Sequence, residues 1–214
     1  MVNKYIKALL LTGILFAIGL LMMSAFDNAR VNSISNQIEL SVLESESTQQ
    51  LLLYESVFDD SESVCKILPK RIDLQISKTS GLLKELNSAK AQGYFADTEL
   101  PKLKYLNENI LLYILVQKAI KDCENKEIIP LVYFYTENDY VADEATQAKV
   151  LDSVVKSCSN VRVFAFPKDM GIPVVDVLIQ KYSISQYPAI ILKNKLYSGI
   201  TSENDLKQAL GCNS

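Results

Sequence analysis

The chain has 214 residues, 22% of them charged and 49% apolar, which is the composition of a globular protein and not of a disordered one. Its 22 basic and 25 acidic residues leave a net charge of −3, which argues against nucleic-acid binding, because that function needs a basic face. Histidine is absent, so serine–histidine and cysteine–histidine catalysis and imidazole metal sites are excluded, leaving carboxylate, lysine, tyrosine or thiol chemistry.

The first element is an apolar run, Ala8 to Phe26, nineteen residues without a charge and preceded by Lys4 and Lys7. That length just crosses a hydrocarbon core. A retained signal anchor and a cleaved signal peptide both place the lysines in the cytoplasm and everything after Phe26 outside it. The anchor is favoured. Met23 and Ala25 stand where a cleavage site wants two small residues, and the run exceeds the ~7–15 residues of a signal peptide's apolar core. The expectation is a cell-membrane protein with a single N-terminal span and an extracytoplasmic bulk. Removing residues 1–26 takes away Lys4 and Lys7 and no acid, leaving 20 basic against 25 acidic residues, a net of −5. That balance also argues against a polybasic lipid-binding surface.

Residues 27–60 follow as an amphipathic juxtamembrane region. Val31, Ile34 and Ile38, then Leu51, Leu52, Tyr54, Val57 and Phe58, recur at helical spacing and predict one or two helices, with a possible interruption at the serine- and glutamate-rich patch Glu44 to Thr48. A flexible stalk is the plainer reading of the same stretch. "DDSES" from Asp59 supplies a break and cap candidates. Residues 61–126 then read as an antiparallel helical hairpin. Its helices cover about 62–90, with an interruption expected near Pro69, and 99–123, where Pro101 sits in the first turn.

The four cysteines, Cys65, Cys123, Cys158 and Cys212, all lie beyond the anchor, in what is expected to be an oxidising compartment. None has CxxC or zinc-knuckle spacing. The midpoint between Cys65 and Cys123 is Tyr94, inside the connecting loop of the hairpin, so the two cysteines lie level at its open end and are placed to bridge it.

From Ile128 the texture changes. "IIPLVYFYT" and "VRVFAF" read as strands, with Ala142 to Ser157 between them as a helix that turns Val150, Leu151, Val154 and Val155 inward. "GIPVVDVLIQKYSI" gives a short helix. "YPAIILK" and "LYSG" give a hairpin joined near Asn194, and "SENDLKQAL" a final helix capped by Ser202 or Asn204. The order over residues 127–214 is β-α-β-α-β-β-α, with a parallel first pair under a right-handed crossover and an antiparallel hairpin after it.

That order, with "YPAIIL" after a short helix and before a hairpin, resembles the thioredoxin fold over roughly residues 127 to 211. The fold class expected is therefore α/β, a thioredoxin-like domain preceded by a helical hairpin and a transmembrane helix. The resemblance places Pro188, preceded by Tyr187, at the family's cis-proline position facing the active-site turn. In that family the turn carries CxxC, where the helix N-terminus and surroundings lower a thiol pKa. Here it reads "TENDYVADE", with no cysteine near Asp139 to Ala142, and Tyr133 stands where many members keep a buried acid. Both departures argue against ordinary dithiol exchange. The resemblance also implies that the helix after the turn and the C-terminal helix share a sheet face and direction, which favours a second pairing, Cys158 with Cys212, remote from the turn.

What remains at the turn is a helix N-terminus beside a strand-opening proline, where family members bind extended peptides. The candidate partner-binding residues are Tyr135, Asn138, Asp139, Tyr140, Tyr187 and Pro188, with tyrosines suited to interfaces. The plainer alternative is a relict fold with ordinary surface tyrosines. Glu137, Asp139, Asp143 and Glu144 lack the alternation and glycine of a calcium loop and read as a solvated helix N-terminus. No metal site and no cofactor are expected. The leading function is a non-catalytic, membrane-anchored protein that binds or scaffolds another membrane or extracytoplasmic protein. The alternatives are a thiol-disulfide oxidoreductase or isomerase using Cys65 and Cys123, and a structural component acting through residues 31–58.

Overall fold

The computed structural model describes residues 2–92, 97–123, 128–136 and 142–212. Within them the elements run α1 (Val2–Phe58), α2 (Ser61–Thr79), α3 (Leu82–Gln92), α4 (Glu99–Asp122), β1 (Ile129–Tyr135), α5 (Ala142–Ser157), β2 (Val161–Pro167), α6 (Pro173–Tyr182), β3 (Ala189–Leu192), β4 (Lys195–Ser198) and α7 (Glu203–Leu210). The chain divides into two compact units, Met1–Glu46 with Ser77–Glu108, and Ser47–Ile76 with Asn109–Ser214.

The first unit is helical. The N-terminal part of α1 is exposed along its apolar run except at half-buried Ser24 and is long and apolar enough to cross a membrane, a property that a signal sequence shares. Further along, Val31, Ile34, Ile38, Ser41 and Ser45 are buried, a three-four spacing that keeps one stripe of the helix facing inward. The serine patch therefore does not interrupt α1. Its small hydroxyls continue the stripe, because Ser41 Oγ (3.2 Å) and Ser45 Oγ both donate to Glu108 Oε1 on α4. Lys78 Nζ reaches Glu44 Oε1 at 2.6 Å and Lys104 Nζ reaches Glu39 Oε2 at 3.7 Å, both at the surface.

Glu108 is only 2% exposed and its Oε2 has no hydrogen-bond partner. Burial, the largest cause, raises its pKa above the ordinary 4.5; the two serine hydroxyls oppose the shift and the Glu44 charge adds to it.

A proline inside α2 does not break it: Pro69 lies within the helix, and the break comes at Ser80–Gly81. There the Ser80 hydroxyl bonds to the Ser77 carbonyl, and glycine is entropically unsuited to a helix interior. Asp59, with φ +55°, ends α1, and the Asp60 carboxylate caps α2 by accepting from the Ser63 N–H at 3.1 Å.

The second unit holds the sheet, in the order β2-β1-β3-β4. β1 and β2 are parallel, with Val132 opposite Phe164 and Phe134 opposite Phe166, while β1–β3 and β3–β4 are antiparallel. Lys193 and Asn194, both at positive φ, make the two-residue turn of the β3–β4 hairpin. One face of the sheet is covered by α5 and α7, whose Leu151, Val154, Leu206 and Leu210 close over Leu131, Tyr133, Ile190 and Leu192. On the other face Tyr113 of α4 packs its ring 5.5 Å from Phe164 and 6.1 Å from Phe166. Asn109 Nδ2 donates to the Ala165 carbonyl at 3.4 Å.

One detail of α5 differs from the sequence reading and another lies outside it. Val155 is 37% exposed and not inward, whereas Gln147 is fully buried. The Gln147 amide pairs both ways with the backbone of Thr201, accepting from its N–H at 2.7 Å and donating to its carbonyl at 3.3 Å. A buried amide that finds both partners is worth keeping in a core. α7 then begins at Ser202, whose hydroxyl accepts from the Asp205 N–H. Disulfides join Cys65 to Cys123 and Cys158 to Cys212, Cα atoms 5.2 and 5.9 Å apart, and no described cysteine is free.

Two outcomes are expected. Because the Glu108 pKa is raised in the folded chain, the fold is favoured below the ordinary carboxyl value, and that advantage is lost as pH rises through the folded pKa. Chemical unfolding of the full chain in detergent, at about pH 5 and about pH 8, is expected to show a loss of stability with pH that Glu108→Gln reduces. The Cys158→Ala/Cys212→Ala variant is expected to unfold with ~2–4 kcal/mol less stability in the same assay, and an unchanged midpoint would contradict a stabilising role for that bridge.

Candidate functional site

Three segments meet at the carboxyl end of β1. In the register of the sheet Phe134 lies opposite Phe166 on β2 and Ala189 on β3, so Tyr135 and Thr136 emerge beside Pro167–Lys168 on one side and Tyr187–Pro188 on the other. The Lys168 N–H continues the ladder by donating to the Tyr135 carbonyl at 2.9 Å. The Tyr187–Pro188 peptide is cis, and Pro188 is buried.

The two tyrosines of this rim are half-buried. Tyr135 stacks on Tyr133, with ring centroids 5.6 Å apart and planes inclined by 19°. Over the Tyr187 ring lies the Lys168 ammonium, 4.7 Å from its centroid, close enough for cation–π attraction. Burial, and secondarily the charge of Asp176, raises the Tyr187 phenol pKa.

Beneath the rim a polar tie joins the two feet of the turn between β1 and α5. Glu144, in the first turn of α5, accepts from the Thr136 N–H at 2.8 Å and from the Thr136 hydroxyl at 2.5 Å through one oxygen, Oε1. Tyr133 adds a third link, its hydroxyl donating to the Glu144 backbone carbonyl at 3.1 Å. Burial chiefly, and the Glu144 charge next, hold the Tyr133 phenol far above its ordinary range, so it serves as a neutral hydrogen-bond donor. A carboxylate at a helix start also suits the dipole. Glu144 is thus a structural tether, while its neighbour Asp143 is exposed.

Of the residues singled out in the sequence, Tyr135, Tyr187 and Pro188 come together at this rim, while Asn138, Asp139 and Tyr140 lie outside the described residues, as does Glu137. The four cysteines are elsewhere. Cys158 follows the far end of α5 from the rim and Cys65 lies on α2. Sequence reasoning missed Lys168, Thr136 and the role of Glu144. Lys168 was within reach of it, since it directly follows "VRVFAFP" and a parallel pairing with "IPLVYFY" carries it to the level of Thr136. No group of three or more metal-ligating side chains occurs among the described residues. The arrangement offers aromatic surface and a cation, a set suited to recognition.

These features define a mixed α/β domain, stapled by disulfides and preceded by a long helix with an apolar start. No family model matches the chain, and no curated protein does. Among solved structures the chain is similar to thioredoxin-2, a component of the malaria parasite protein secretion machinery, at 22% identity over 42% of this chain and 86% of that one, with a TM-score of 0.34.

Replacing Glu144 with alanine is expected to leave the Thr136 N–H and hydroxyl without their acceptor and to lower stability by about 1.5–3 kcal/mol, the range for hydrogen bonds to a charged group. Denaturant unfolding of Glu144→Ala measures the loss, and Thr136→Val, which keeps the backbone N–H donor, is expected to lose less.

Proposed function

We propose that this is a single-pass membrane-anchored protein with a thioredoxin-like domain outside the cytoplasm, which binds an extended segment of a partner protein without exchanging disulfides with it. In this reading residues 1–26 anchor the chain, 27–60 form its juxtamembrane helix, 61–126 the helical hairpin and 127–214 the binding domain. The observation that carries it is the rim itself: Tyr135, Tyr187 and Lys168 gathered at the strand ends, with the Lys168 charge held over the Tyr187 ring. The supporting context is a turn whose feet are fixed by Glu144 and a sequence that places no cysteine there. A binding surface of this kind draws its strength from aromatic burial and cation–π contact, with main-chain hydrogen bonds fixing the register of an extended partner.

The exchange reading is favoured by one observation only, that Cys65 and Cys123 are half-buried whereas Cys158 is 2% exposed. Thiol trapping separates the two. The binding reading expects all four cysteines to stay unreactive in native membranes, and a Cys65–Cys123 bond that opens under mild reductant would favour exchange. For the platform, partners cross-linked to the full chain are expected to be lost from Tyr187→Ala/Lys168→Glu while its unfolding midpoint stays near that of the native chain. Retention of every partner by that variant would remove the rim from the proposal.

A further inference from the structure

A second surface of the same unit carries charge of the opposite kind from the chain as a whole. A cleft of about 470 Å³ opens where α2 meets the turn between α5 and β2, and its wall includes Lys66, Lys70 and Arg162 against a single carboxylate, Asp73. Residues beyond Phe26 carry more acids than bases, so this concentration of cations runs against the composition.

The cations are arranged for a ligand more than for one another. Arg162 is positioned in advance: Nη1 donates to the carbonyls of Ser159 (2.5 Å) and Val161 (3.1 Å), and Nη2 to Asp73 Oδ1 (2.7 Å). These tethers fix the plane of the guanidinium and leave part of its donor fork unused. Lys66 and Lys70 are four residues apart on one helix face, a like-charge spacing that is unfavourable by itself. Lys66 has only an exposed partner, Glu62 at 2.6 Å, and Lys70 forms no ion pair with a described residue. The exposed side chains of Ser159 and Asn160 add neutral donors, while Pro69 and Ile128 give the wall an apolar part.

We propose that this cleft binds a small phosphate-bearing anion, independently of the rim at the end of β1. Lys70 forms no ion pair with a described residue, and Lys66 and Arg162 keep donors beyond Glu62 and Asp73, so the cleft offers three cationic groups to a multiply charged oxyanion; a phosphomonoester carries about −1.5 to −2 at neutral pH. Arginine and lysine together supply both the oriented fork and the mobile point charges that phosphate oxygens accept.

The test titrates the full chain in detergent, at constant ionic strength, with inorganic phosphate and with glycerol 3-phosphate, read by calorimetry. Saturable binding is expected, weakened roughly tenfold or more in Lys66→Gln/Lys70→Gln, where the exposed positions leave the fold intact by circular dichroism. Tighter binding of glycerol 3-phosphate identifies a phosphomonoester as the ligand, and equal affinity identifies phosphate itself; both support the site. Absence of saturable binding to either probe, or equal affinity in the double variant, overturns it.

Discussion

The structure of the sheet unit depends on one constraint, that β1 is buried on both of its faces. Leu131, Val132, Tyr133 and Phe134 are all at most 5% exposed, and successive residues of a strand point to opposite sides. A strand of this kind needs cover above and below. α5 and α7 supply it on the side of Leu131 and Tyr133, and α4 contributes on the other through Tyr113 against Phe164 and Phe166. The C-terminal part of α4 is therefore part of the core of the sheet unit, and the Cys65–Cys123 bond holds the end of α4 to α2 in the same unit. The Cys158–Cys212 bond ties the end of α5 to the end of α7 in turn, so the two helices that cover one face are covalently joined.

A strand fixed this firmly delivers its last residues to a defined place, and the rim follows from that. Tyr135 and Thr136 leave the sheet where β2 and β3 bring Lys168 and Tyr187. The Glu144 tie then sets where α5 begins relative to β1, since one carboxylate oxygen holds both the N–H and the hydroxyl of Thr136. Removal of a charged acceptor at a partly buried site costs more than an average hydrogen bond, because the donors are left without water to replace it. In this arrangement the carboxylate and the phenol at the turn are both occupied in holding it, while the Lys168 ammonium lies over the Tyr187 ring and the Tyr135 ring stacks on Tyr133.

Much of this was legible in the sequence because its texture changes clearly, from helical spacing before Cys123 to β-branched and aromatic runs after Ile128. The element order of the sheet unit and its mixed pairing could be read that way. What escaped was polar and long-range. Gln147 carries no apolar signal, and Thr201, fifty-four positions away, explains its burial. Glu144 reads as one of several acids suited to a helix dipole until Thr136 is seen beneath it. Pro69 is the stronger breaker on propensity, yet the helix continues through it and ends at Thr79, before Ser80–Gly81, because tertiary packing of Leu68 and Ile72 on either side outweighs one lost hydrogen bond.

The serine patch of α1 is the clearest case, since its composition reads as an interruption between amphipathic helices and the structure carries the buried stripe through it. Its polarity has a physical use. Ser41 and Ser45, one turn apart, converge on a single oxygen of Glu108, and a slip of α1 by one heptad would set Ile34 and Ile38, or Thr48 and Leu52, in their place. Neither alternative offers a pair of hydroxyls, so each leaves a buried carboxyl group with fewer donors than it has now. An apolar residue at 108 would pack in several registers with similar energy, whereas a buried polar group that is satisfied in only one discriminates among them, as polar residues at core positions of coiled coils do. The cost is the burial of a carboxyl group with one oxygen unpartnered, and the raised pKa of Glu108 reduces that cost by favouring the neutral acid. The polar contact of Ser41 and Ser45 with Glu108 thus lies on the same buried stripe as Val31, Ile34 and Ile38, and it is the part of that stripe whose contribution depends on pH.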